Sequence, residues 1–144
     1  MAGFQGLEFL LRGFLYKKGD SPHGELKKGE DLNKLVVGDS RPENAMTCFD
    51  PLGKLISRYN TYFTGDQRVD SGLVATRNAL AHGRVFGKDQ KGWFHLLKFS
   101  ESDKAGVVRV EFSEEMNEDW FKKQGDKIKV EYNKVLRVFE AEPE

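Results

Sequence analysis

Residues 121–139, FKKQGDKIKVEYNKVLRVF, obey two periods at once, and the choice between them decides the fold. Ile128, Val130 and Tyr132 alternate as they would in a strand. Phe121, Gly125, Ile128, Tyr132, Val135 and Phe139 instead recur at spacings of four and three, one helical face held for about five turns. A strand has no use for that longer pattern. The spacing therefore predicts a long final helix, in spite of a cost of roughly 1 kcal/mol for Gly125 relative to alanine. Ser113, followed by Glu114, Glu115 and Met116, is a candidate cap, since acids suit a helix N-terminus.

Outward from that segment, Trp93–Phe99 and Val107–Phe112 have strand composition and are joined by the polar run 100–106, which reads as a hairpin loop. Arg84–Phe86 is a candidate third, short strand. Upstream, the pattern is helical. Phe4, Leu7, Leu11 and Phe14 form one apolar face of a first helix over Phe4–Lys18, stopped by Gly19 after the cations Lys17 and Lys18. The residues Asp20–Gly24, with Pro22 and His23, read as a loop. A short helix is expected over Glu30–Val37, and a helical turn within Glu43–Phe49. Asp50-Pro51 reads as an N-cap followed by proline, opening a helix that carries Leu52, Leu55, Ile56, Tyr59 and Phe63 and stops near Gly65. A further helix begins near Asp70 or Ser71 and ends at Gly83, read as a left-handed C-terminal stop. No repeat or linker divides the 144 residues, which read as one unit with a hairpin inserted at about 92–112.

Composition narrows the function classes. The chain balances 23 Lys and Arg against 23 Asp and Glu, so it lacks the basic excess of a general nucleic-acid coat. Locally the charge is uneven. Residues 67–91 hold five cations against two acids, whereas residues 100–120 hold seven acids against two cations. The single cysteine, Cys48, forms no internal disulfide and no thiolate metal site, and it points to a reducing, cytoplasmic setting. Glu8 and Arg12 interrupt the apolar N-terminus, which fits neither a secretion signal nor a membrane span. There is no phosphate-cradling glycine loop, no histidine pair at metal spacing and no Gly-x-Ser-x-Gly elbow. The three histidines, His23, His82 and His95, are scattered, and no metal or cofactor is expected.

What remains is Arg77-Asn78-Ala79-Leu80-Ala81-His82-Gly83-Arg84. Asn78 and His82 are four apart and lie one turn from each other on one helical face. Arg77 lies about 140° around the helix from His82. Ala79, Ala81 and Gly83 keep the surroundings low enough for close approach by another helix or a ligand. An imidazole titrates near neutrality and serves as general acid or base, and a guanidinium grips phosphate through two hydrogen bonds. RNA carries its own nucleophile, the 2′-hydroxyl, so such a group suits phosphodiester cleavage without a metal. The competing reading is a polar pair at a helix end, with His82 binding the last carbonyls.

Arg-Asn-x-x-x-His followed by Gly resembles the signature of the HEPN superfamily. The likeness extends over roughly residues 4–86: an apolar first helix, a loop, Glu-Asp-Leu-x-x-Leu at Glu30–Leu35, a longer helix, then the motif helix. The resemblance implies a mainly α fold, an antiparallel bundle of about five helices with the β-hairpin inserted before the last. It also implies metal-independent endoribonuclease activity of the kind found in toxin–antitoxin, abortive-infection and CRISPR-associated systems. By matching position, Arg77 and His82 would act in cleavage and Asn78 would assist. The motif helices of two copies would meet in a homodimer, with RNA as substrate and an antitoxin or other regulatory protein as a further partner. Some family toxins carry a modifiable tyrosine two residues after the histidine, where this chain has Arg84. Arg84, Arg68 and Lys88, from the basic stretch, are the candidate phosphate contacts. The alternatives are a non-catalytic module binding a protein partner and a nucleotide pocket at the same basic region.

Overall fold

The apolar spacing of the N-terminal residues produces α1 (Ala2–Lys17), which buries Phe4, Leu7, Leu10, Leu11, Phe14 and Leu15. Gly19 follows at φ +68°, and the Asp20 amide donates to the Leu15 carbonyl at 3.0 Å, closing the helix end. The computed structural model describes residues 1–20, 32–40, 43–88 and 90–143. Much of the expected loop around His23, together with Glu30 and Asp31 of the expected short helix, lies outside those residues. Of the rest of that helix, Leu32–Lys34 forms a single 3-10 turn and Leu35–Val37 are not helical, so the expected helix over Glu30–Val37 is corrected to that turn.

Asn44 organises the expected turn before the next helix, since its Oδ1 accepts from the amides of Met46 and Thr47 at 2.8 and 3.2 Å. Helix α2 (Leu52–Asn60) buries Leu52, Leu55, Ile56 and Tyr59. Its cap is Pro51 rather than Asp50, because Asp50 is engaged elsewhere: its carboxylate holds Lys54 at 2.7 Å and Arg58 at 2.6 Å. Those bonds, from Lys54 first and then Arg58, hold the Asp50 carboxyl below its ordinary value against the opposing effect of burial. Arg58 also binds Asp20 at 2.9 Å, tying the end of α1 to α2. The helix ends three residues before Phe63, and a 3-10 turn at Gly65–Gln67 leads toward α3 (Leu73–His82).

The final segment is helical, as its longer period requires. Helix α4 (Glu118–Ala141) starts later than Ser113, at an Asn117 cap that accepts from the Trp120 amide at 2.8 Å. Ser113 lies instead in a strand. Ile128, Tyr132 and Phe139 face α1 at Gly3, Gly6 and Gly13, where an added Cβ would stand 3.0, 3.3 and 2.9 Å from those side chains. Missing side chains on α1 thus let the bulky residues of α4 seat against its backbone.

Between α3 and α4 run β1 (Arg84–Phe86), β2 (Phe94–Phe99) and β3 (Val110–Met116), an antiparallel sheet in that order. The third strand expected at Arg84–Phe86 is present, whereas Val107 and Val108 belong to the connecting loop. The expectation of a mainly α bundle of about five helices is corrected to an α+β fold. The described residues hold four α-helices and a three-stranded sheet. The physical reason lies in packing. Leu96, buried at the centre of β2, joins Ala79 of α3 and Trp120 of α4 in a second small core flanked by Leu80, Phe112 and Met116. The sheet is therefore a packed layer that supports α3 rather than a hairpin projecting from a bundle.

In the main core, Tyr59 packs among Phe14 and Phe63 with ring centroids 4.9 and 4.8 Å away. Its hydroxyl is fully buried and has no hydrogen-bond partner among the described residues. Burial, and next the charge of Glu131, pushes the phenol up to about 12. A buried donor without a partner costs its desolvation. Tyr59→Phe should consequently stabilise the protein by about 1 kcal/mol, read as a higher urea midpoint with unchanged slope. A lower midpoint would show that the hydroxyl is satisfied in solution.

Candidate functional site

The motif residues occupy the last turns of α3 and the step into β1. His82 is the final helical residue, and its side chain is exposed. No hydrogen bond or ion pair engages its imidazole among the described residues. Asn78, one turn earlier, is half-buried, and its Oδ1 lies 3.4 Å from Arg77 Nη1. Ala79 between them is fully buried against Leu96 and Trp120. The second core thus clamps the helix from one side while leaving His82 outside.

Gly83 does not adopt the left-handed conformation expected of a helix stop. It is extended, at φ −77° and ψ −175°. Its requirement for glycine comes from crowding: a Cβ there would lie 2.3 Å from the Ala79 carbonyl oxygen and 2.7 Å from that of Leu97. The chain turns directly from helix to strand over backbone atoms. Arg84 opens the strand, and its guanidinium donates to the carbonyls of His82 and Gly83 at 3.4 and 3.2 Å. A cation is thereby held at the C-terminal end of α3, on the backbone carbonyl of the motif histidine.

The predicted site residues divide into two groups. His82, Arg84 and Asn78 gather at the end of α3, with Lys88 just beyond β1, where its ammonium lies 5.6 Å from the Phe94 ring centroid. Arg77 and Arg68 do not join them. Arg77 lines a cavity of about 450 Å³ toward α1, with Phe4, Glu8, Arg12 and Met46. No hydrogen bond joins it to His82, which is what the angular separation along the helix requires. Arg68 precedes the opposite end of α3, roughly 15 Å of helix away, and its carbonyl accepts from Lys134 at 2.8 Å.

Compared with family models, with curated proteins and with solved structures, the chain matches none. Its chemistry therefore has to be read from its own residues. Among the described residues, no group of three or more His, Cys, Asp or Glu side chains is placed to hold a metal ion. No helix among them is long and apolar enough to cross a membrane. Cys48 is buried, and its sulfur lies 3.1 Å from the Arg12 guanidinium, which also binds the carbonyls of Ala45, Cys48 and Asp50 and the Glu8 carboxylate. Arg12 is thus fully occupied in holding the 44–50 segment on α1.

Two aromatic residues outside the motif lie on the strands that follow it. Phe86 and Phe99 are 45% and 37% exposed and pair edge to face at 6.3 Å. Only strand register reveals them, because aromatic residues at such spacing are equally suited to burial.

Proposed function

We propose that this protein is a metal-independent endoribonuclease of the HEPN type that works as a dimer through its α3 helices. The observation that carries the reading is the exposed His82 imidazole, without a partner among the described residues, with Asn78 one turn before it and Arg84 on the carbonyls that end the helix. In this reading His82 takes the proton of a ribose 2′-hydroxyl, whose oxygen attacks the adjacent phosphorus. The bond from phosphorus to the 5′-oxygen breaks, and the departing oxygen receives a proton from an imidazolium. The products are a 2′,3′-cyclic phosphate and a 5′-hydroxyl. Asn78 orients the ring, and Arg84 meets the phosphate charge as it builds up. Lys88, four extended residues or roughly 13 Å beyond Arg84, supplies a contact to a phosphate further along the RNA, whereas Arg68 lies at the opposite end of α3.

Arg77 enters through the dimer. Its direction within one chain leads away from its own His82 and toward α1. A two-fold pairing of α3 helices would present each Arg77 to the other copy's phosphate, so the complete site draws on both chains. The lone cysteine fits a cytoplasmic setting, and a toxin or defence effector held by a regulatory protein suits an enzyme of this activity. A non-catalytic binding module is favoured by one observation, that Arg77 and His82 do not meet within a chain.

Incubating the purified protein with mixed RNAs in EDTA separates the two readings. Cleavage is expected to persist in the chelator and to leave 2′,3′-cyclic phosphate ends, whereas DNA of the same sequence stays intact. Strictly metal-dependent cleavage, or none on diverse RNAs, removes the proposal.

A further inference from the structure

The motif runs straight into a sheet with one open face. In antiparallel strands, partners across the ladder share a face and neighbours along a strand alternate. Leu96 points into the small core between α3 and α4, and that face of the sheet is covered. The opposite face holds the paired Arg84 and Leu97 and the paired Phe86 and His95; the ladder shifts register between Lys98 and Phe99, and it is the contact with the Phe86 ring that brings Phe99 to this face. Phe86 and Phe99 lie on either side of the Arg84–Leu97 pair in register, yet their rings come within 6.3 Å. They therefore lean toward each other across the strands, on the face that Arg84 shares.

Charge sets the direction of any occupant. The β1 side carries Arg84 with His82 just before it, and Lys88 follows beyond the end of the strand against Phe94, all three exposed. On the far strand, β3, Glu115 shares the open face as the partner of His95, whereas Glu114, the partner of Leu96, belongs to the covered one. Glu111 is ion-paired to Lys98, and Glu114 accepts from the Trp120 indole. A polyanion is accordingly drawn along β1 and repelled from β3, with the two phenylalanine rings as the apolar surface beside its track. A chain that combines phosphate charge with flat apolar faces is single-stranded nucleic acid, whose bases stack on aromatic side chains without demanding a sequence.

We infer that Phe86 and Phe99 form a base-stacking platform that lays single-stranded RNA along β1, with Arg84 leading its phosphate to His82. The inference rests on the endoribonuclease reading for its RNA substrate and extends it to a binding surface outside the cleavage residues. Unpaired RNA should be taken in preference to duplex, because bases within a helix offer no free face.

Binding is measured by fluorescence anisotropy with a short labelled 2′-O-methyl oligouridylate, which lacks the nucleophile and stays intact on the wild-type protein. Phe86→Leu and Phe99→Leu each keep apolar bulk and should weaken binding about tenfold. Phe86→Tyr and Phe99→Tyr retain an aromatic face and should bind as wild type does. An abasic oligonucleotide should lose affinity for wild type and be insensitive to both leucine changes, which tests the platform even where a variant folds poorly. Equal binding by the leucine and tyrosine variants overturns the platform. So does a change from dimer to monomer in the leucine variants with affinity for RNA retained, which would assign the face to a second copy of the chain. The two readings fail separately. Loss of cleavage in His82→Ala with unaffected binding by the leucine variants removes the platform and keeps the nuclease. Ring-dependent binding without any cleavage does the reverse.

Discussion

His82→Ala is expected to lower RNA cleavage by about 10²–10⁴-fold, the contribution of a positioned general acid or base. Its effect on folding should be small, because the imidazole is exposed and no hydrogen bond or ion pair holds it among the described residues. The thermal midpoint of the variant should thus match that of wild type while single-turnover cleavage in EDTA collapses. That contrast is diagnostic. Were His82 a mere cap on the carbonyls of α3, its loss would lower stability and leave any activity in proportion to folded protein. A mixture of His82→Ala and Arg77→Ala chains adds a second readout. Arg77 points away from its own His82, so subunit exchange should rebuild one intact composite site per mixed dimer and restore part of the activity. Activity that fails to return on exchange, with mixed dimers demonstrated, would put Arg77 and His82 to work within the same chain or leave Arg77 out of the site.

How far the sequence carries this picture depends on the range of the interaction involved. Helix α1 was legible because its pattern is local: Phe4, Leu7, Leu11 and Phe14 recur at helical spacing, and all four are buried. Helix α4 was legible for the same reason once the longer period was preferred, although its start was misplaced. Glu114, Glu115 and Met116 have the composition of a first helical turn, but pairing with β2 holds them in a strand up to Asn117. The cap at Asp50 failed in a related way, since Arg58 and Lys54 compete for its carboxylate. Fold class was the larger miss. Three strands of modest length look like an inserted hairpin until Leu96, Ala79 and Trp120 are seen to close a core of their own, and those residues lie far apart in the chain.

The candidate site was partly legible for similar reasons. The spacing of Asn78 and His82 places both on one helical face, and helical arithmetic already turned Arg77 aside. Nothing local indicated that Arg77 would border α1, or that Phe86 and Phe99 would lean together on the face that Arg84 shares. Both facts come from how α1 and the sheet flank α3. The gathering of basic residues around the motif, by contrast, was visible as a simple local excess of charge, although Arg68 belongs to the other end of the helix.

Gly83→Ala should be the most damaging single-methyl change in the motif region. The glycine backbone is extended, a conformation alanine adopts without difficulty. The obstacle is space, because the added carbon would sit 2.3 Å from the Ala79 carbonyl oxygen and 2.7 Å from the Leu97 carbonyl oxygen. Both are backbone atoms, fixed by the end of α3 and by β2, so no side chain can rotate away. Relief requires the helix end and the strand to separate, which loosens the contact of Ala79 with Leu96 and Trp120. Overpacking of this kind costs about 1–3 kcal/mol, read as a lower urea midpoint. Cleavage should fall further than stability, because His82 and Arg84 flank the displaced residue and lose their common geometry. Gly125→Ala supplies the opposite sign with the same chemical change. Gly125 lies inside α4, and a Cβ there meets nothing within 4 Å. Better helix propensity should stabilise that variant by up to about 1 kcal/mol and leave cleavage untouched. If both alanine variants behaved alike, the crowding at Gly83 would not be what joins α3 to the sheet, and the position of His82 would have to be set by other contacts.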